Sequence, residues 1–321
     1  MTRRYTACCV LTCAILGGSF TVSRSIVDYP ILTGQALRYL LAAIALFALL
    51  TRSAWVRPTA RELGRLTLVA GIGLVAFNVL LLVALRHADP AVIGTVVGVS
   101  PVLLALLGPL QERRRPAPRL VAAAVVVFAG AALVEGFGHA DRPGLLAATG
   151  VLGCEAAFSL LAAPLLPRLG AVRVSAWSTA LAVPLLLGLL VIFPERQRLP
   201  SVGEAGSLAF LGLVLTVVAF VCWYSGVAGL GVDRAGVYVG LVPVFALLTL
   251  SIVDRSAPGP GRVAGVLLVA VGLVIAARRV KPDECNAPRS SSAPAASPAS
   301  PGNSASSSAC KIRASTSPAP T

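Results

Sequence analysis

Two ionisable side chains stand alone within long apolar stretches, Arg38 in ILTGQALRYLLAAIAL and Glu155 in GVLGCEAAFSLLAAPLL. A charge at bilayer depth costs at least about 2.5–3.5 kcal/mol on insertion scales, so each must have a partner or a task. Arginine offers a planar fork that can take a carboxylate or phosphate through two hydrogen bonds. A carboxyl group moved into low dielectric holds its proton to higher pH, which is what carrying a proton across a membrane requires. At 1.5 Å per residue, Arg38 lies about 12 Å past Pro30 and Glu155 about 15 Å past Leu145. Both are expected at similar depth, facing one central cavity. The plainer alternatives are that Glu155 pairs with Arg38 or a hydroxyl to lock the bundle, and that pairing or backbone carbonyls satisfy Arg38.

Polar neighbours extend this set at helical spacing. Gln35 shares the Arg38 face with Gly34, Ala42 and Ala45, and Ser159 shares the Glu155 face with Leu152 and Ala162. Asn78, Ser175, Ser178 and Thr179 add amide and hydroxyl groups for a water-accessible route. Trp223 and Tyr224, with Trp177 and Tyr238, can wall a cavity against a solute ring or chain, or simply pack helices. Pro101 and Pro243 interrupt the hydrogen-bond ladder near mid-membrane and are expected to bend their helices. Gly94, Gly98, Gly236 and Gly240 let backbones approach closely. No catalytic constellation is present. His87 and His139 stand singly at loop edges, and the seven cysteines have neither metal-ligand spacing nor a disulfide framework. Neither enzymatic activity nor a metal or other cofactor is expected.

The elements that must position these residues follow from composition. Apolar residues make up 56% of the 321 positions and charged residues 12%, against about 45–50% and about 25% in soluble domains. With a mean hydropathy of +0.85, the chain has too little interior to hide its apolar surface, so lipid must cover most of it. The net charge of +14 sits in short arginine-bearing connections, the way membrane proteins set orientation, and nucleic acid is not expected as a partner. Ten runs are long enough to span, near 5–23, 30–50, 66–85, 91–110, 119–137, 144–166, 174–193, 207–230, 235–253 and 261–277. A cleaved signal peptide at MTRRYTACCVLTCAILGG is rejected, because cleavage would remove one helix from a count that closes symmetrically. After Lys281 the chain turns to Ser, Pro and Ala, cannot bury a core, and is expected to be disordered.

Sixteen basic residues flank the spans on the side of the N-terminus and seven on the other, which places both termini in the cytoplasm. The chain also repeats itself. Gly94, Gly98 and Pro101 recur as Gly236, Gly240 and Pro243, in GTVVGVSPV and GVYVGLVPV, each 142 residues later, and Gly130 recurs as Gly272. Five spans per unit force the second unit to enter the membrane inverted relative to the first, an arrangement found in many secondary transporters. The fold expected is an all-α integral membrane protein, with ten helices in two inverted five-helix repeats over 1–138 and 139–280 and a cytoplasmic tail over 281–321.

Several strings, in order, resemble the EamA-like transporters of the drug/metabolite transporter superfamily: GGSFTVSR, QALRYLLAAIAL with Arg38, ALRHADPAVIGTVVGVSPVLLALLG, GVDRAGVYVGLVPVFALL and GRVAGVLLVAVGLVIA. The likeness covers roughly residues 10–278. It departs after the fourth span, where a Leu-Gly-Glu ending common in that family is replaced by GPLQERR with Glu112 displaced, and where the second half has IVDRS with Asp254. The resemblance implies a secondary carrier moving small organic solutes, commonly outward. Proton-coupled efflux across the plasma membrane is the expected activity, a bacterial inner membrane if the host is bacterial. Uncoupled facilitation and a non-transporting scaffold are the alternatives. The partners expected are a small-molecule solute, membrane lipid, protons and, if two copies pair, a homodimer.

Overall fold

The computed structural model describes residues 2–26, 28–51, 56–136, 138–253, 255, 257 and 259–277. The Ser/Pro/Ala-rich tail, Arg52 and Asp254 lie outside the described residues. The helices are α1 (Thr2–Ser23), α2 (Ile31–Leu50), α3 (Ala60–Leu68), α4 (Phe77–His87), α5 (Pro90–Val97), α6 (Ser100–Gln111) and α7 (Pro118–Glu135). There follow α8 (Arg142–Ala162), α9 (Leu166–Ile192), α10 (Val202–Phe210), α11 (Ala219–Leu230), α12 (Val232–Val237), α13 (Leu241–Val253) and α14 (Pro260–Ala277). No strand forms among the described residues, only an isolated bridge between Ala88 and Ala140.

These join into nine continuous apolar stretches among the described residues that are long enough to cross a membrane. One of them, Arg142–Ile192, is 51 residues, roughly 75 Å as a straight helix and more than twice the hydrocarbon thickness. It does not run straight. A 3-10 turn at Ala163–Leu165 carries Pro164, and Gly170 takes φ 73° and ψ 166°, a conformation open to glycine and outside the helix. Large apolar side chains such as Leu146, Val191, Ile252 and Leu267 point outward, as lipid contact requires. The chain is a multi-pass integral membrane protein.

Two stretches begin earlier than their apolar runs, and the reason is local. Thr59 and Glu62 form a capping box on α3, and Ser201 and Glu204 form another on α10, so polar turns nucleate each helix before it becomes hydrophobic. Each helix then passes into a π-helical segment, Val69–Ala76 in the first case and Leu211–Val218 in the second. Cap, first helix and π segment all recur at a separation of 142 residues. Packing recurs in the same sense: α1 lies on α11 and α8 on α4, α2 on α9, and α7 on α14. At the α7–α14 crossing Gly130 meets Gly265 so closely that a Cβ on either would lie 2.7 Å from the other's carbonyl oxygen. Arg119 at the start of α7 donates from Nε to the Ile275 carbonyl near the end of α14 at 2.8 Å.

Connections at the ends are tied by charged groups. Pro30 gives α2 no side-chain cap, and Glu195, beyond the end of α9, supplies one by accepting from Leu32 N and Thr33 N at 3.0 Å each. Asp141 caps α8 by accepting from Gly144 N at 2.8 Å and also meets His87 Nδ1 at 2.9 Å; these contacts hold its carboxyl below the usual range. At the opposite end of the bundle Arg168 pairs with Glu62 of the α3 cap and donates to the Arg57 carbonyl.

Candidate functional site

Arg38 is held by neighbouring side chains. Its Nε donates to Thr216 Oγ1 at 2.8 Å and its Nη1 to Gln35 Oε1 at 3.2 Å, while the guanidinium lies 5.2 Å from the Tyr39 ring centre. Thr216 sits inside the second π segment and spends its own proton on the Leu211 carbonyl five residues back, at 2.8 Å, leaving its lone pairs for Arg38. On the next residue of α2, Tyr39 Oη accepts from Asn78 Nδ2 at 3.1 Å, just past the first π segment. These two contacts, from Arg38 and Tyr39, therefore fall at or beside a π segment, where the backbone departs from α-helical register.

Glu155 stands in a different setting. The Ser100 hydroxyl lies beside its carboxyl group, and Cys13 of α1 lies within electrostatic reach. Yet neither Glu155 Oε2 nor Ser100 Oγ, both buried, makes a hydrogen bond. No hydrogen bond or ion pair joins Glu155 to Arg38, so the pairing considered from the sequence is not formed. Ser100 itself is placed by a break in its helix: α5 ends at Val97, Gly98 and Val99 turn, and α6 restarts at Ser100 with Pro101 in its first turn. The second half has a similar break, a 3-10 turn at Tyr238–Gly240 just before Pro243.

One helical turn along α8, Phe158 stacks on Tyr224 at 5.0 Å and tilts against Phe220 at 5.0 Å, and Phe158 packs into the notch left by Gly73. Ser159 Oγ accepts from Trp223 Nε1 at 3.0 Å. Tyr224 is fully buried, its hydroxyl makes no hydrogen bond, and it lies within electrostatic reach of Tyr39. This aromatic cluster links the Glu155 face of α8 to the α2 network.

Other expected members are placed elsewhere or already engaged. Ser178 and Thr179 are buried but donate to carbonyls of their own helix, at 2.8 Å to Val174 and to Ser175 respectively. Ser175 Oγ is buried and makes no hydrogen bond. Trp177 meets Phe47 edge-on at 5.5 Å and packs against the buried cluster that contains Trp223 and Tyr224. Gly236 takes the Leu104 side chain and Gly240 takes Val127, whereas Gly98 faces Ala131. Gly94 accommodates the side chain of an acid, Glu135, as a Cβ there would come within 2.6 Å of its Cδ. Sequence reasoning passed over Ser100, Thr216, Tyr39 and the two phenylalanines. Thr216 carries the signal that exposed Glu155, one polar group inside an apolar run, and Ser100 directly precedes the repeated proline. Among the described residues no cluster of His, Cys, Asp or Glu could hold a metal ion.

Comparison with known proteins bears on this geometry. A solved crystal structure superposes with a TM-score of 0.72 over 84% of this chain and 96% of that one, at 23% identity, which shows a shared fold. The uncharacterized transporter YdeK of Bacillus subtilis is 30% identical over 83% of this chain and 93% of its own length. A probable terminal-alkyne amino-acid exporter of Streptantibioticus cattleyicolor is 27% identical over 84% of this chain and 92% of its own. The model of the EamA-like transporter family matches twice, over residues 4–136 and 142–278, and with nearly all of the membrane-embedded chain so covered, this protein belongs to that family of membrane transporters.

Proposed function

We propose that the protein is a secondary active exporter of a small organic solute, working by alternating access with Glu155 as its proton-coupling group. The observation that carries the reading is the contrast inside the bundle: Glu155 Oε2 and Ser100 Oγ are buried without hydrogen bonds, while Arg38 donates to both Thr216 and Gln35. A buried polar atom left unpaired costs about 1–3 kcal/mol, so a site that retains two of them side by side has reason to form its bonds in another state. Proton binding at Glu155 in one state and release in the other meets that need. In this reading the 51-residue stretch crosses twice, giving ten spans in two inverted five-helix repeats over 1–138 and 139–280, with both termini cytoplasmic and the protein in the plasma membrane.

The helix breaks before Pro101 and Pro243 serve as the bends between inward-open and outward-open forms. Arg38 offers a carboxylate-bearing solute a bidentate partner once it leaves Gln35 or Thr216, and Trp223 and Tyr224 wall its apolar part. The name of the Streptantibioticus relative supports amino acids as the solute class. The test compares metabolites inside and outside cells expressing the intact chain, its Glu155→Gln variant, or neither, followed by flux of the depleted solute in proteoliposomes with and without a proton gradient. The intact chain should export the solute in a gradient-dependent manner, and Glu155→Gln should lower that flux at least roughly tenfold and remove its dependence on the gradient. Gradient-dependent flux surviving in Glu155→Gln overturns the coupling role; flux indifferent to the gradient in the intact chain leaves a facilitator.

A further inference from the structure

A second charged site lies apart from the Glu155 region, at the end of the bundle where α1 and α7 finish and α14 begins. A cavity of about 140 Å³ opens there between these helices and α13. Its walls carry one carboxylate, Glu135, and one guanidinium, Arg262; Thr21 adds a hydroxyl, and Val134, Leu247 and Leu250 supply an apolar side. The two charges influence one another through space yet form no ion pair. Opposite charges that close on a common cavity without touching leave a gap between an acceptor and a donor fork. Glu135 is held in that pose by α5, because its side chain occupies the notch at Gly94.

We infer that this cavity binds a small zwitterion, an α-amino acid with an apolar side chain, its ammonium on Glu135, its carboxylate on Arg262 and its side chain against Leu247 and Leu250. Size selects the class. The cavity holds the share of roughly four or five waters, and drug-sized ligands need pockets of about 300–1,000 Å³. Charge selects it further: a monocarboxylate satisfies Arg262 and leaves Glu135 facing the like charge of its ligand, and an amine does the reverse. Arg262 is exposed at the mouth, so the cavity is reachable without rearranging the bundle. The inference concerns binding and stands whether or not Glu155 couples transport to protons.

The test uses the full chain, purified in lipid nanodiscs, with equilibrium binding of labelled L-valine and competition by isovalerate and isobutylamine, which keep one charge each. L-valine should bind saturably, and each one-charge analogue should compete roughly ten- to hundred-fold less well, the range expected for losing one charge-assisted hydrogen bond. Glu135→Gln and Arg262→Gln should each weaken L-valine by a similar factor. Gly94→Ala keeps both charges but drives a methyl group into the Glu135 carboxylate, and should weaken binding as well. Weakening in Glu135→Gln and Arg262→Gln that Glu155→Gln and Arg38→Gln do not match assigns the binding to this cavity rather than to the Arg38 region. Absence of saturable binding, equal competition by the analogues, or binding retained in Glu135→Gln and Arg262→Gln but lost in Arg38→Gln overturns the inference.

Discussion

Arg38 and Glu155 are both single charges inside apolar helices, and the bundle treats them in opposite ways. Arg38 has an acceptor on its own helix, an acceptor from a π segment of the other half, and an aromatic ring beside it. Glu155 has a serine in front of it and an oxygen without a hydrogen bond. A charge whose partners are all supplied by the protein is stable where it stands and fastens the elements that supply them. A charge left short of partners is a poor fastener. Its environment suits a group whose bonding changes, and on the proposal that Glu155 is the coupling group anchoring falls mainly to α2 and exchange mainly to α8.

That division can be broken by testing the anchor first. Thr216→Val keeps the side-chain shape but removes the acceptor of Arg38 Nε, leaving a guanidinium donor unpaired in a dry site. A loss of about 1–2 kcal/mol of stability is expected, toward the upper end for hydrogen bonds inside membranes because one partner is charged. Thermal unfolding of the purified protein measures it. A negligible change would mean that Arg38 finds another acceptor without cost and fastens nothing through Thr216.

The second test stays on α2 with a neutral pair. Tyr39→Phe removes the hydroxyl that accepts from Asn78, but Asn78 also donates to the Leu74 carbonyl at 2.6 Å and so keeps one bond. The expected loss is about 0.6 kcal/mol, the average for interhelical hydrogen bonds in membranes. A loss equal to that of Thr216→Val would erase the distinction drawn between charged and neutral contacts of α2.

Much of this arrangement is legible from residue order alone, and the part that is not has a common cause. Apolar run length gives the axial positions of the helices, so Arg38 and Glu155 can be placed in depth by counting residues. Whether two residues at one depth meet depends on rotation about each helix axis, and the π segments at Val69–Ala76 and Leu211–Val218 change that rotation, while the glycines they carry, Gly71, Gly73 and Gly212, are of a kind found throughout the apolar runs and do not mark them. Thr216 meets Arg38 from within such a segment. The early starts of α3 and α10 are written in Thr59–Glu62 and Ser201–Glu204, two S/T-x-x-E strings that an apolar-run count passes over. Glu135 illustrates the remaining limit: at the end of α7 it reads as a boundary acid, and only the fold brings it to Gly94 and Arg262.

The smallest expected effect is on stability at Ser100, and its sign is what sharpens the comparison. Thr216 and Ser100 are both fully buried hydroxyls beside a charged side chain, but the first makes two hydrogen bonds and the second none. Removing a buried hydroxyl with no partner relieves a desolvation cost and gives up no bond, so Ser100→Ala should leave stability unchanged or raise it by up to about 1 kcal/mol. If the hydroxyl serves Glu155 in another state, the same substitution should slow gradient-driven export while the protein becomes no less stable, a pairing of effects that a purely structural serine would not give. Thermal unfolding and proteoliposome flux on one preparation read both. Destabilisation of about 1 kcal/mol or more would place Ser100 among the fasteners with Thr216, and the contrast between the α2 and α8 charges would then be one of degree.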